Sequence, residues 1–308
     1  MRRLALKIDV DTLRGTLEGV PPLIETLKRH GAQATFLFSL GPDNTGRALK
    51  RVFRPGFIRK VLRTNVAANY GLKTLMYGVL IPGPDIGRRA AAPMRAARDA
   101  GFEVGIHTWD HIRWQDYVAG KDEAWTRHEF DQAVARFREV FGEAPRTFGA
   151  AGWQINASTL ALQEEAGLDY ASDTRGGLEP FLPSMEGRVY KVPQIPGTLP
   201  TLDELVGVDG ITVDNVAEHL LKLTAAPPPP TGHVFTLHAE LEGMALKPVF
   251  EKLLVGWKSQ GYALVATRDL AAGLDRARLP VYEVVMGEIP GRSGTLAVQR
   301  RKLGAAPV

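Results

Sequence analysis

The sequence predicts an α/β fold organised on a parallel sheet or barrel, and three observations carry that prediction. The chain opens as strand, helix, strand, in residues 4–11, 21–30 and 34–39. Apolar strand-like runs then alternate with amphipathic helical stretches for most of the length. Polar side chains gather at the strand ends, at Asp9 and Asp11, His107 and His111, Asp173 and Arg175, and His238. In parallel α/β folds the carboxyl ends of the strands are where catalytic groups collect.

Each element has a local reason. Leu4 to Asp11 is an apolar run closing on two carboxylates one residue apart, which as a simple strand end would only cap a turn. Pro21 to His30 carries Leu23, Ile24 and Leu27 at helical spacing and stops at Gly31. Ala34 to Ser39 is the second strand, and the Ala- and Arg-rich stretch 90–100 a helix closed by Gly101. Phe102 to His111 begins as a strand and delivers two histidines four positions apart. On a helical turn that spacing sets two side chains on one face, about 5–6 Å apart at Cβ, within reach of one metal ion. Trp125 to Phe141 reads as a long helix with Phe130, Val134, Phe137 and Phe141 buried and His128 exposed or capping. Phe148 to Trp153 is a small-residue strand and turn that lets backbone approach closely. Helix 158–165, a strand from Leu168, a strand over 190–196 with prolines that favour an edge, and helix 215–223 follow. Pro227 to Pro230 is a stiff connector. His233 to Glu240 is the last strong core strand, helix 247–260 and strand 262–266 complete the pattern, and the tail reads as a late hairpin with a frayed basic end at Arg300 to Lys302.

With 308 residues, 44% of them hydrophobic, the chain can bury a sizeable core as two small domains or one α/β barrel. It has no cysteine, which excludes disulfides, thiolate nucleophiles and Cys-based metal centres; any metal must be held by His, Asp or Glu. The start reaches a charged strand at once, without an apolar run of signal-peptide length, and no run approaches the roughly 18 apolar residues of a spanning helix. These features predict residence in the cytoplasm. The net charge of +4 is modest, so only its distribution informs about partners.

That distribution singles out an insertion, about 44–87. Asn44 through Pro84 contains no Asp or Glu but eight cations, among them Arg51, Arg54 and Lys60, interleaved with Phe53, Phe57 and other apolar residues at helical intervals. Leu75 to Pro82 adds an apolar patch too short to cross a bilayer. A basic amphipathic element of this kind suits a membrane interface, where a cation near anionic headgroups is worth about 1 kcal/mol. Arg51, Phe53, Arg54, Phe57, Lys60 and Leu75 are the expected membrane-binding residues. Helices packed on the sheet with a solvated basic face are the plain alternative, and nucleic acid ranks lower because the interleaved residues are mostly aliphatic rather than stacking aromatics.

If the strands are parallel, their polar ends converge. Asp11, His107 and His111 then form a three-ligand set with open positions, as catalytic zinc sites require, while Asp9 fits a base and His238 an acid. Zn²⁺ suits two His and one Asp, with Mn²⁺, Co²⁺ and Ni²⁺ left open.

The ordered set Ile8-Asp9-Val10-Asp11, His107-Thr-Trp-Asp-His111, Tyr170-Ala-Ser-Asp173 and Thr236-Leu-His238-Ala-Glu240 resembles the successive motifs of the polysaccharide deacetylase family, the NodB-homology or family-four carbohydrate esterases. The resemblance covers roughly 4–270. It implies a distorted (β/α) barrel of fewer than eight regular units over 1–270, carrying the insertion, and leaves 271–308 as a C-terminal extension. It also implies metal-dependent amide hydrolysis on an N-acylated sugar, with Asp9 as base, Asp11, His107 and His111 as ligands and His238 as acid. One departure stands out: the family's third motif is Arg-x-Pro, its arginine orienting the base, whereas Phe148 to Trp153 has neither residue, so either Arg175 supplies that charge or the base is held differently.

Further stretches, among them Asp11 to Thr16, Ser39 to Asn44, Ala150 to Trp153, Ser172 to Gly176, Pro193 to Thr201 and His238 to Gly243, resemble the family members that remove formate from 4-deoxy-4-formamido-L-arabinose on undecaprenyl phosphate during aminoarabinose modification of lipid A. That likeness implies Arg14, Trp153, Asp173, Arg175 and Glu240 as substrate-binding residues, and a peripheral position on the cytoplasmic face of the inner membrane, where the lipid-linked sugar resides. A deacetylase of another N-acylated amino sugar, or a non-catalytic membrane or polyanion binder on a degenerate barrel, are the competing readings; oligomeric state is not legible.

Overall fold

The first strand, β1 (Arg2–Val10), is buried along both faces from Leu4 onward because each face meets a different layer. Leu4, Leu6, Ile8 and Val10 join the main core beneath the helices, whereas Ala5 packs with Tyr170, Ile195, Val234 and Leu270 in a smaller cluster inside the curl of the sheet. Alternation along the strand therefore puts Lys7 and Asp9 on that inner face above Ala5.

The structure is a computed structural model describing residues 2–48, 72–177 and 179–305. The central sheet is parallel and runs, in order, through β5 (Tyr170–Ala171), β4 (Thr147–Phe148), β3 (Glu103–Thr108), β2 (Thr35–Ser39), β1 and β8 (His233–His238). The lower half of β1 also pairs with β9 (Tyr262–Val265). Helices α1 (Val20–Arg29), α2 (Ala91–Asp99), α3 (His111–Tyr117), α4 (Glu123–Phe141), α5 (Ala157–Glu165), α6 (Val216–Ala225) and α7 (Lys247–Ser259) connect the strands. The starts of α3, α4 and α5 follow the chain's own signals: Asp110, Asp122 and Asn156 accept hydrogen bonds from the backbone N–H three residues on.

The curl leaves β5 and β8 unpaired with each other, and residues 193–199 span the space between them. Ala171 N–H donates to Pro193 O, Ile195 N–H to Ala171 O and Leu199 N–H to Val234 O. This segment, expected as a strand over 190–196, makes only isolated bridges, because Pro193 and Pro196 have no N–H to give a ladder. A second sheet, in the order β11-β10-β6-β7, contains β6 (Leu182–Met185), β7 (Arg188–Val189), β10 (Pro280–Gly287) and β11 (Leu296–Ala305). The late hairpin is thus present. Its basic end, expected to fray, lies within β11, and β10 pairs with β6 from the barrel's own range. Arg175 joins the two sheets by donating its N–H to Ala297 O and accepting from Gln299 N–H.

Of the expected membrane-binding residues, Arg51, Phe53, Arg54, Phe57 and Lys60 lie outside the described residues. Leu75 is half-buried, and beside it Met76, Val79, Leu80 and Ile81 are exposed, Leu80 at 75%. Among the described residues no helix is long and apolar enough to cross a membrane.

The floor of the sheet is fixed by a buried carboxylate. Glu103 Oε2 accepts from the hydroxyls of Thr35 and Tyr170 and from Arg268 N–H. Because burial raises its pKa, each donor matters, and a lost partner leaves a desolvated acceptor costing about 1–3 kcal/mol. Tyr170→Phe is accordingly expected to lower unfolding free energy by about that amount in urea titrations, without altering metal binding.

Candidate active site

At the carboxyl edge of the sheet, Asp11, His107 and His111 each offer one donor atom, all within 4.8 Å of one another. Asp11 leaves β1 in the following turn, His107 is on β3, and His111 is the first residue of α3. The two histidines therefore do not share a helical turn: a strand end, a turn and a capped helix start set their rings 5.2 Å apart, centroid to centroid. His107 Nε2 lies 3.3 Å from Asp11 Oδ1, and His111 Nε2 lies 3.4 Å from Asp11 Oδ2.

His107 Nδ1 is within hydrogen-bond reach of Gly149 O, a pure acceptor, which fixes the ring with Nε2 turned toward Asp11. Burial would raise the Asp11 carboxyl, but the charges of His111 and His107 outweigh it and hold the pKa well below the usual carboxylate range. A permanently ionised carboxylate with two imidazoles is the donor set of a divalent metal, and these residues fit one.

Asp9 and His238 face each other across the β1–β8 ladder as register partners. Asp9 Oδ2 is 3.6 Å from Lys7 Nζ, while its buried Oδ1 has no hydrogen-bond partner. His238 has an unpartnered Nδ1, and its backbone N–H is held by Glu242 Oε2. Burial lowers its pKa, but the carboxylates of Asp11, Asp203, Glu242 and Asp9 more than offset this and raise it to about 9.

The residues expected to bind substrate fall in several places around this site. Glu240 is buried, and its Oε1 accepts from Asp11 N–H, Thr12 N–H and the Thr12 hydroxyl, so it braces the turn that carries Asp11. Burial and the neighbouring Asp11 charge push its pKa up to about 8. Asp173 is fully buried and accepts from Ala150 N–H, Gln163 and Gln194, a bracing position under the small-residue turn. Trp153 is buried in the left-handed region at φ 54°, its ring approached by Lys7, Arg175 and Arg292. Arg175 makes a bidentate pair with Glu204 at 2.9 Å, so it is not the cation beside Asp9. Arg14 is partly exposed and pairs with Glu18.

Lys7, Glu204 and Arg292 went unread in the sequence. Lys7 carried a usable signal, a lysine two residues before Asp9 in a strand apolar at every even position from 4 to 10; Arg292, brought in by the loop between β10 and β11, carried none. The small-residue turn does allow close approach: a Cβ on Gly149 would lie 2.3 Å from Leu37 Cδ1 and 3.0 Å from Lys7 Cε.

Comparison with known proteins places this geometry in context. Residues 4–171 match the polysaccharide deacetylase family. A protein of Shewanella sediminis named "Probable 4-deoxy-4-formamido-L-arabinose-phosphoundecaprenol deformylase ArnD" is 39% identical over 300 residues, covering 96% of this chain and 94% of its own. One of Wigglesworthia glossinidia brevipalpis with the same name is 32% identical, over 93% and 99% of the two chains. Among solved structures, one described as a polysaccharide deacetylase of Mycobacterium smegmatis superposes with TM-score 0.62 at 16% identity, over 94% and 96% of the two chains.

Removing one imidazole from a three-residue set should cost more than the roughly tenfold that loss of a mere orienting partner costs a metal site. His107→Ala and His111→Ala are each expected to lower zinc affinity by well over about tenfold in titration calorimetry; unchanged affinity in either would remove that residue from the ligand set.

Proposed function

Because this chain belongs to the polysaccharide deacetylase family, we propose that it hydrolyses the formamide of 4-deoxy-4-formamido-L-arabinose carried on undecaprenyl phosphate, releasing formate and the free amine, as its relatives are named to do. The observation that supports this reading best is the adjacency of an Asp-His-His donor set to a carboxylate and an imidazole facing each other on neighbouring strands. Asp11, His107 and His111 would hold a divalent metal, zinc by donor type, with Mn²⁺, Co²⁺ or Ni²⁺ accepted by the same atoms. When bound, such a cation would polarise the formyl carbonyl and lower the pKa of a water molecule.

The chain's own residues account for the proton movements. Asp9 has one oxygen beside Lys7 and the other buried without a partner, so Oδ1 is the atom available to take a proton from water. His238, among carboxylates that raise its pKa to about 9, is the group suited to give a proton to the departing amine. Water adds to the formyl carbon, the C–N bond breaks, and the nitrogen leaves as an amine rather than an unstable anion. Glu240 and Asp173 act in this reading through the turns they hold.

The exposed apolar residues Met76, Val79, Leu80 and Ile81, beside a sequence segment rich in Lys and Arg, support a membrane-facing element that meets the lipid carrying the sugar. On that reading the protein works as a peripheral enzyme on the cytoplasmic face of the inner membrane.

Three outcomes are expected. Zinc-loaded protein incubated with the formamido lipid releases formate, and a chelator stops the release until metal is restored; metal-loaded protein yielding no formate would overturn the assignment. His238→Gln keeps its metal while kcat falls about 100-fold or more. In flotation with anionic liposomes, Leu80→Asp combined with charge reversal at Arg51, Arg54 and Lys60 reduces binding, and undiminished binding would remove the membrane-facing element.

A further inference from the structure

We infer that Lys7 is a positioning residue for the reaction, a buried side chain that fixes the orientation of the Asp9 carboxylate; this rests on the reading of Asp9 given above. Lys7 is fully buried, in the middle of β1, on the same strand face as Asp9. Its ammonium is surrounded by acceptors. Nζ donates to Ser172 O at 2.9 Å, lies 3.6 Å from Asp9 Oδ2 and sits 5.2 Å from the Trp153 ring centroid.

The surroundings are built to admit this side chain. A Cβ on Gly149 would stand 3.0 Å from Lys7 Cε and 3.3 Å from Nζ, so the bare glycine opens the channel through which the lysine passes. Ser172 is held in turn, its hydroxyl donating to Ile195 O. The residue one layer below on the same face is Ala5, packed among apolar neighbours, so the inner face turns from apolar to charged at Lys7.

Stability does not account for this arrangement. Desolvating an ammonium and a carboxylate is costly, and well-packed apolar residues of similar volume hold such a position at least as well. A chemical role does account for it. The cation faces only Oδ2, which leaves Oδ1 unpartnered, and it fixes the carboxylate so that Oδ1 keeps one direction. Positioning of this kind acts on the rate of the bound complex rather than on substrate affinity, because a misaligned base loses catalysis without losing contacts to the sugar.

The test uses the full-length, zinc-loaded protein and formate release from the formamido lipid. Lys7→Met is expected to lower kcat about 100-fold with KM changed less than about threefold and zinc content unchanged; kcat within about twofold of wild type overturns the inference. Because that variant could fold poorly, a second arm separates charge from shape. The chain has no cysteine, so Lys7→Cys can be alkylated while unfolded, in one sample with bromoethylamine to restore an ammonium and in another with iodoacetamide to leave a neutral chain of similar length. After refolding alongside unmodified wild type, the ammonium form should regain at least about tenfold in kcat over the neutral form at equal zinc content. Equal rates in the two forms overturn the role of Lys7. Absence of formate release from wild type would instead count against the proposed reaction itself.

Discussion

The parallel pairing of β1 with β8 is the constraint on which the site depends. Its register sets Asp9 opposite His238, and a slip of one residue would turn one of them into the helix layer. The pairing is secured beyond its last ladder bond by Glu240, which follows β8 and gathers both N–H groups of the turn after β1 onto one oxygen. Gly15 is required for this contact, since a Cβ there would fall 1.9 Å from Glu240 Oε1. The turn that presents Asp11 is therefore shaped from the neighbouring strand rather than by its own sequence.

Electrostatics at the strand ends follow from the same crowding. Asp9, Asp11, Glu240 and Glu242 converge where water is largely excluded, and four carboxylates cannot all ionise there at tolerable cost. Burial pushes Glu240 and Glu242 up to about 8 and about 7, which makes them proton holders near neutrality. Asp11 goes the opposite way because imidazoles face it. Two of the acids are thus suited to holding structure and one to holding a cation, a division set by which groups each carboxylate meets.

Much of this was legible in the sequence because it rested on local spacing. The strands at Leu4, Ala34, Phe102 and His233 and the long helix ending at Phe141 show themselves by periodicity, Asp11 and His107 by their places at strand ends, and His111 by its spacing from His107. What was not legible is the direction of polar side chains at those ends. An acidic residue after a core strand reads the same whether it faces a sugar or a backbone N–H; both Asp173 oxygens and Glu240 Oε1 meet groups of the fold, while Glu240 Oε2 has no hydrogen-bond partner. A lysine in an apolar strand ordinarily marks an edge, whereas here the space left by Gly149 admits Lys7 to the interior. The short strands β6 and β7 lack enough residues to show a period, and the apolar run from Tyr190 showed one that its prolines prevent from becoming a strand.

The root of the insertion connects these levels. Asp43 N–H donates to Pro84 O and Gly46 N–H to Tyr77 O, so the two ends of the excursion are tied to each other. The same root holds the site from two sides. The Asp43 carboxylate accepts from Leu13 N–H, just beyond Asp11, and the Asn44 amide donates to Asp110, the residue capping the helix that begins with His111. Both contacts are buried, where hydrogen bonds to a carboxylate are stronger than at the surface. The root therefore contacts the backbone next to two of the three residues of the Asp-His-His set. The described root of the insertion and the Asp-His-His set are thus held in one buried hydrogen-bond network.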